Sequence, residues 1–158
     1  MMRGALKYWI FKSEPDEYGI DHLAREKQQT ARWDGIRNYQ ARNNLRDQVN
    51  KGDLVLFYHS SCKQIGMAGT MEVVRAAYAD PAQFDPNSRY FDPKATPEEP
   101  RWFCVDVQLL EKFDSVIPTR ALKANPATAE LSIFKQGRLS IAPVTAAQWR
   151  EVQHLRES

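Results

Sequence analysis

The sequence predicts a mixed α/β (α+β) fold, in which about five or six strands form a small twisted β-barrel with short helices packed on its outside. The length of 158 residues fits one ordinary domain spanning residues 1–158. Several short apolar runs are bounded by turn residues, which is typical of strands. These runs follow one another without the regularly spaced helices of a doubly wound parallel sheet, so that architecture is not expected.

The first strand is predicted at residues 7–12, where apolar side chains occupy both faces, and it ends at the Ser-Glu-Pro tract. Residues 54–58 follow turn residues and have the composition of a central strand. Gly66 and Gly69 indicate a bend or a close backbone approach in the next strand. The predicted strands are residues 7–12, 54–58, 65–77, 101–113 and 139–142.

Helices are predicted between these strands and at the end of the chain. The clearest begins at Thr145, because Thr145 and Gln148 form a capping box in which each side chain bonds the other residue's backbone N–H. Proline, acidic and aromatic residues alternate in residues 80–100, which predicts a long packed loop and not a linker. The predicted helical segments are residues 21–27, 38–49, 120–124, 130–134 and the tail from residue 145.

Composition narrows the class of protein. An apolar fraction of 42% with 27% charged residues is typical of a globular protein, and no apolar run approaches the length of a membrane helix. Residues 1–6 lack the apolar run of a signal peptide, so we expect a cytoplasmic location, with nucleoid association as the alternative. Cys62 and Cys104 lie far apart and predict free thiols. Neither a metal nor a cofactor is expected.

The net charge of +2 does not by itself indicate a nucleic-acid partner, but the basic residues are unevenly placed. Five Lys and Arg residues lie between positions 32 and 51, against two Asp residues. This concentration predicts either a local basic surface or a solvated helix face.

Two tracts near the start, residues 8–15 and residues 33–46, change abruptly from apolar residues to groups that position ligands. In the first, Ser13 and Glu14 follow a strand and could meet an exocyclic amine, while Lys12 could meet a phosphate. Glu14 could equally cap the following helix. In the second tract, Arg37, Asn38 and Tyr39 stand at a predicted helix entrance, where free backbone N–H groups favour an anion such as a nucleotide phosphate. A simple N-cap is the alternative for Asn38.

Other candidates lie at strand ends and among the aromatic residues. Successive side chains at a strand end point to opposite faces, so only some of the residues from Tyr58 to Ser61 can reach one pocket. His59 could also be a structural histidine. Aromatic residues could stack on a base or fill the core. The remaining candidates are Trp33, Tyr58 and Trp102 for stacking, His59, Ser60 and Ser61 for the polar edge, and Arg138 for a second phosphate contact.

Four tracts together resemble the EVE domain family, in the same order and over almost the whole chain. They are Tyr-Trp-Ile-Phe-Lys-Ser-Glu-Pro, Trp-Asp-Gly-Ile-Arg-Asn-Tyr-Gln-Ala-Arg-Asn, Gly-Asp-Leu-Val-Leu-Phe-Tyr-His-Ser and Gln-Gly-Arg-Leu-Ser. The resemblance, to a stand-alone bacterial-type member, implies a PUA-like barrel related to the YTH readers of methylated adenine. It also implies binding of modified bases, notably modified cytosine in DNA, and no established enzymatic activity.

We therefore expect a nucleic-acid-binding module that reads a modified base, with DNA as the favoured partner and RNA as the alternative. A base read individually must leave its stack and enter a pocket with aromatic faces and polar groups. An enzyme acting on a nucleotide is the rival class, but no catalytic residues are predicted, because His59 and its neighbours alternate in direction along a strand. A protein-interaction module that uses the long loop is a third alternative.

Overall fold

Six strands form one sheet within residues 6–157, the part of the chain that this computed structural model describes. Residues 1–5 and residue 158 lie outside the described residues. The prediction that residues 1–6 lack a signal peptide falls mostly on this part of the chain. The strands are β1 (Tyr8–Ser13), β2 (Thr30–Trp33), β3 (Leu54–His59), β4 (Gly66–Ala79), β5 (Phe103–Pro118) and β6 (Ile141–Val144). Their order in the sheet is β2-β5-β4-β3-β1-β6.

The pairing is antiparallel except between β1 and β3, which run in the same direction with Ser13 opposite His59. The expectation that no doubly wound parallel sheet is present is therefore confirmed. Among the described residues, no strand pairing joins the edge strands β2 and β6, so the sheet is twisted and open, not a closed barrel. The mixed α/β class and the six strands agree with the sequence prediction.

Strong curvature nevertheless brings the two halves of the sheet together. Trp33, at the end of β2, lies 5.4 Å from Phe11 of β1 between ring centroids, although three strands separate β2 from β1. Four register shifts between β4 and β5 allow these long strands to bend, since a bulge increases local twist. A side chain at Gly69 would overlap the backbone oxygen of Glu111, which confirms the predicted close approach.

Short helices surround the sheet. Asn38 caps α3 (Tyr39–Asn43) by accepting a hydrogen bond from the N–H of Ala41 at 2.9 Å. This helix continues as a π-helical turn at Asn44–Gln48. The predicted capping box is present in α6, with the two bonds between Thr145 and Gln148 at 2.9 and 3.0 Å. The helices are α1 (Pro15–Tyr18), α2 (Ile20–Arg25), α3 (Tyr39–Asn43), α4 (Thr119–Ala124), α5 (Ser132–Lys135) and α6 (Ala146–Arg156).

One continuous core lies between the curved sheet and these helices. Phe11 and Phe57, on neighbouring strands, are fully buried at its centre. Asp53 is also buried, and its carboxylate accepts hydrogen bonds from the indole N–H of Trp9 at 2.9 Å and from two backbone N–H groups, as a buried charge requires. Helices long and apolar enough for a membrane span are absent from residues 6–157.

β2 is the one strand that the sequence did not predict. It has four residues, lies at the edge of the sheet and exposes Arg32, so it lacks the apolar run that marks the other strands. The long loop from Asp80 to Pro100 is packed as expected, because its own residues Asp80 and Gln83 are completely buried.

Candidate functional site

A cavity of about 640 Å³ opens where β1 and β3 end. Because these two strands are parallel, their carboxyl ends meet at the same edge, and the N–H of Ser60 donates to the carbonyl of Ser13 at 3.0 Å. The curvature of the sheet brings the end of β2 to the opposite side. The cavity is lined by Lys12, Ser13, Glu14, Glu17, Tyr18, Arg32, Trp33, Asp34, Gly35, Ile36, Ser60, Arg89, Tyr90, Arg138 and Ser140.

Aromatic rings form the base and one wall of this cavity. Trp33 is 6% exposed, and its ring contacts Phe11 and Phe57, the latter edge-on at 5.1 Å. Most of Trp33 is therefore core, and only its remaining surface faces the cavity. Tyr90 forms a wall and packs against Gly35, where a Cβ would lie 2.8 Å from the tyrosine ring. Gly35 has φ +76°, a conformation that also favours glycine.

Several polar side chains at the cavity have no partner within the described part of the protein. The hydroxyls of Ser13 and Ser60, the carboxylate of Glu14 and the guanidinium of Arg138 make no side-chain hydrogen bond or ion pair among residues 6–157. Folded proteins normally satisfy polar groups with protein or water. These four groups are therefore available to hydrogen-bond a ligand.

Charged groups of both signs surround the opening. Lys12 donates to the carbonyl of Gly137 at 2.7 Å, and burial lowers the pKa of its ammonium group. Partial loss of hydration, and secondly the carboxylate of Asp80, raise the pKa of Asp34 above its usual range. Arg89 and Glu17 form an exposed ion pair at 2.7 Å across the rim. The cavity thus presents hydrogen-bond donors and acceptors side by side.

Tyr18 contributes a buried hydroxyl next to the cavity. No hydrogen-bond partner for this hydroxyl lies within residues 6–157. Burial, and secondly the nearby carboxylate of Glu26, raise the pKa of Tyr18 to about 12, so the phenol stays protonated at neutral pH. Its ring meets the edge of Trp33 at 6.3 Å and continues the aromatic wall.

Arg37 lies behind the cavity wall and not in it. Its guanidinium donates to the carboxylate of Asp80 at 3.0 Å, to the carbonyl of Tyr90 at 2.8 and 3.2 Å, and to the carbonyl of Ile36 at 3.0 Å. Asp80 is completely buried and also accepts from the N–H of Gly35 at 2.9 Å. Arg37 therefore fixes the loop that carries Tyr90 against the segment after β2, instead of presenting free donors to a phosphate.

Six of the thirteen predicted binding residues line the cavity. They are Lys12, Ser13, Glu14, Trp33, Ser60 and Arg138. The structure does not bring the other seven into it. They are Arg37, Asn38, Tyr39, Tyr58, His59, Ser61 and Trp102. A role in ligand binding stays a prediction for all thirteen.

Several of the residues outside the cavity have structural partners. The Tyr58 hydroxyl is 2.9 Å from the Thr119 hydroxyl, and Nε2 of His59 accepts from the N–H of Ile20 at 3.1 Å. Trp102 is 6% exposed and donates from its indole N–H to Asp92 at 2.8 Å. Ser61 is exposed in a left-handed turn with φ +52°. Asn38 is the N-cap of α3, which agrees with the alternative prediction for this residue.

The sequence prediction missed the cavity residues that come from outside the strand ends. Tyr18 follows a proline in a short helix, and Arg89 and Tyr90 lie in the long loop, so no local pattern points them towards β1. Asp34 and Gly35 were detectable, because they stand inside the second tract directly after Trp33. Groups of three or more metal-ligating side chains are absent from the described residues.

The EVE domain family model matches residues 7–155. Thymocyte nuclear protein 1 of Mus musculus is 38% identical over 168 residues, which cover 96% of this chain and 74% of the mouse protein.

Solved structures agree with this match. A hypothetical protein from Leishmania major has a TM-score of 0.92 and 45% identity, covering 97% of this chain and 96% of that chain. Human thymocyte nuclear protein 1, in complex with DNA containing 5-methylcytosine, has a TM-score of 0.91 and 36% identity, covering 96% of this chain and 98% of that chain. The YTH domain of Zygosaccharomyces rouxii MRB1, bound to N6-methyladenosine RNA, has a TM-score of 0.55 at 15% identity and shares the fold alone.

Proposed function

The chain belongs to the EVE domain family, and we propose that it binds nucleic acid carrying a modified base, with modified cytosine in DNA as the favoured ligand. The observation that carries the proposal is the cavity, where aromatic rings and unpaired polar side chains meet. The human relative, bound to 5-methylcytosine DNA, supports the choice of ligand. Membership of this family favours a binding module over an enzyme.

The volume of the cavity suits an extruded base. Its volume of about 640 Å³ falls within the range of about 300 to 1,000 Å³ that is usual for small-molecule sites. A base that leaves its stack loses a few kcal/mol, which a pocket offsets with apolar surface and hydrogen bonds. Tyr90 and the surface of Trp33 supply that apolar contact.

The unpaired polar groups suit the hydrogen-bonding edge of cytosine. Cytosine presents an exocyclic amine that donates, and a carboxylate is its natural acceptor. Glu14 supplies a carboxylate with no partner among residues 6–157, and the hydroxyls of Ser13 and Ser60 can donate to the ring nitrogen or carbonyl. Thymine and uracil present an oxygen in place of the amine, so Glu14 would repel them.

Arg138 and Lys12 are the candidates for the phosphate beside the base. Arg138 is exposed and unpaired among the described residues, whereas Lys12 is partly held by Gly137. An arginine can form two parallel hydrogen bonds to phosphate oxygens. We therefore assign the larger share of the phosphate contact to Arg138.

The test is a binding panel measured by fluorescence anisotropy at about 50 and about 200 mM salt. Short DNA and RNA strands carry cytosine, 5-methylcytosine, 5-hydroxymethylcytosine or N6-methyladenine at one position. We expect tighter binding to DNA with a modified cytosine than to the unmodified strand. Equal affinity across the panel would overturn the proposal, and preference for the RNA strands would move it to the RNA alternative. Mass spectrometry of the recovered strands would reveal turnover and so favour an enzyme.

Two variants separate base recognition from phosphate binding. Glu14→Ala should reduce discrimination between cytosine and thymine about tenfold or more, because a hydrogen bond to a charged group contributes about 1.5 to 3 kcal/mol. Arg138→Ala should weaken all strands alike and lower the salt slope by about 1. Arg150→Ala is the matched control, since Arg150 is exposed on α6, whose Trp149 stacks on Tyr8 at the far end of β1.

A further inference from the structure

A second surface, outside the cavity, combines an exposed aromatic ring with arginines. Tyr39 is 48% exposed, although its ring stacks on Trp102 at 4.9 Å between centroids. The guanidinium carbon of Arg42 lies 4.8 Å from the centre of the Tyr39 ring, and that of Arg101 lies 6.0 Å from it. We name Tyr39, Arg42, Arg46 and Arg101 the Tyr39 platform.

The Tyr39 platform is joined to the cavity by a continuous stack of planar groups. The guanidinium of Arg37 lies 5.2 Å from the ring of Tyr90, the cavity wall, and 5.3 Å from the ring of Trp102. Trp102 then stacks on Tyr39. These contacts connect the cavity wall at Tyr90 to the exposed ring of Tyr39, so the two surfaces are held in one fixed arrangement.

The support beneath the exposed ring is rigid. Trp102 is 6% exposed, and its indole N–H donates to Asp92 while its backbone N–H donates to the buried side chain of Gln83 at 3.0 Å. Arg101 donates to the Tyr39 hydroxyl. A pre-positioned ring loses little conformational freedom when a ligand stacks on it.

Arg42 is the arginine of the Tyr39 platform that forms no ion pair among residues 6–157. Arg46 is paired with Asp47, and Arg101 lies 3.4 Å from Asp92. Within the described residues, Arg42 donates to neutral acceptors, the side chain of Asn43 and the carbonyl of Arg101. Desolvation, and secondly the charge of Arg46, lower the pKa of Arg42.

We propose that the Tyr39 platform binds the strand that flanks the base held in the cavity, with one neighbouring base stacked on Tyr39 and a backbone phosphate beside Arg42. This inference rests on the proposed function. Every base has a π-face, so such a contact adds affinity without reading sequence, and arginine beside an aromatic ring is the combination that single-strand binders use. The cavity would identify the base, and the Tyr39 platform would hold the strand.

A double-mutant cycle tests the stack directly. The probes are a single-stranded oligonucleotide with one modified cytosine, a set in which each flanking nucleotide in turn is abasic, and the modified nucleoside monophosphate alone. Tyr39→Ala should weaken binding of the intact strand about tenfold. It should have no further effect on the one strand whose abasic position faces Tyr39, because the two changes remove the same contact. Tyr39→Phe keeps the stacking face and loses only the bond from Arg101, so it should bind the intact strand more tightly than Tyr39→Ala does.

The outcomes separate this inference from the proposed function. If the native protein prefers the modified strand but Tyr39→Ala binds every probe normally, the platform proposal is wrong and the cavity proposal stands. If Tyr39→Ala weakens the monophosphate as much as the strand, Tyr39 acts through the cavity, and the platform proposal is also wrong. If no probe distinguishes the modified from the unmodified base, the proposed function itself fails.

The phosphate contact has its own measurement. Arg42→Gln should lower the salt slope for the strand by about 1. Arg150→Gln, on the exposed face of α6, removes the same charge and should leave that slope unchanged. An equal reduction in both variants would show a general charge effect and overturn the assignment of Arg42.

Discussion

The carboxylates of Asp80 and Glu14 lie on opposite sides of the same wall and have opposite surroundings. Asp80 is fully buried and accepts three hydrogen bonds, from the N–H groups of Gly35 and Ala82 and from Arg37. Glu14 is exposed at the cavity, and its carboxylate has no partner within residues 6–157. Protein donors satisfy the first carboxylate, which holds the wall in place, whereas a ligand can satisfy the second.

This contrast separates positioning from recognition. A buried charge must be paired, and removing one partner leaves the other unsatisfied, so Asp80 should contribute mainly to stability. An unpaired polar group at a cavity contributes little to folding and can contribute to binding. Substitutions on the two sides of the wall should therefore affect different measurements.

Asp80→Ala should produce the largest loss of stability. It leaves Arg37 and two backbone N–H groups without their acceptor, and we expect the free energy of unfolding to fall by about 3 kcal/mol in urea titrations. Asp85→Ala is the matched control in the same loop, because Asp85 is exposed and accepts one local bond from the N–H of Asn87. The control should change stability by less than about 0.5 kcal/mol. Equal effects would show that Asp80 does not anchor the wall.

Gly35→Ala should reduce both stability and ligand binding. The φ of +76° is unfavourable for alanine by about 1 to 2 kcal/mol, and the new methyl group would collide with the ring of Tyr90. We expect the wall to move. The loss of binding free energy for the modified strand should exceed the loss of unfolding free energy. Gly137→Ala provides the control, because a Cβ there meets nothing within 4 Å. Unchanged affinity in Gly35→Ala would show that Tyr90 does not shape the site.

The sequence predicted most of the fold because its signals are local. Apolar runs located β1, β3, β4 and β5, and the Thr145 capping box located α6. β2 was missed because four residues at a sheet edge, one of them an exposed arginine, carry no such pattern. The sequence did not indicate whether the predicted barrel closes, because closure depends on the bulges in β4 and β5, which bend the sheet without joining its edges.

The candidate site was less predictable, because it depends on which chain segments meet. Ser13 and Ser60 were each predicted because they follow a predicted strand, and the structure brings them together because those strands are parallel neighbours. Arg37 was predicted as a phosphate contact because it stands at a helix entrance, and no local pattern indicates its partner Asp80, which lies 43 residues away. The same arginine also donates to the carbonyl of Tyr90, which lines the cavity from the long loop. Residue type identified polar groups, but distant partners determine which of them remain unpaired.

Asp34 should show a smaller effect, visible in the pH dependence of stability. Its pKa is raised in the folded protein, so the folded state binds more protons than the unfolded state between the ordinary aspartate value near 3.9 and the raised value. This carboxyl therefore lowers stability as pH rises through that window. Asp34→Asn should remove the decrease and be more stable than the native protein at pH 7.

Urea titrations across a pH series from about 3.5 to 7 measure this slope. The magnitude should stay below that of Gly35→Ala, because Asp34 is exposed and water screens its charge. Asp16→Asn is a suitable control, since Asp16 is equally exposed and lies outside the cavity. Parallel pH profiles for the native protein and Asp34→Asn would contradict the assigned effect of Asp34.

Ser60→Ala should have the smallest effect on stability and a clear effect on binding. Its hydroxyl has no partner within residues 6–157, so unfolding should change by less than about 0.5 kcal/mol. Affinity for the modified strand should fall about three- to tenfold if the hydroxyl donates to the base. Ser88→Ala is the opposite case, because the Ser88 hydroxyl accepts from the N–H of Tyr90 at 3.0 Å and its loss should lower stability by about 1 kcal/mol. If Ser60→Ala lowered stability as much as Ser88→Ala and left binding intact, the separation of recognition from positioning would fail at this residue.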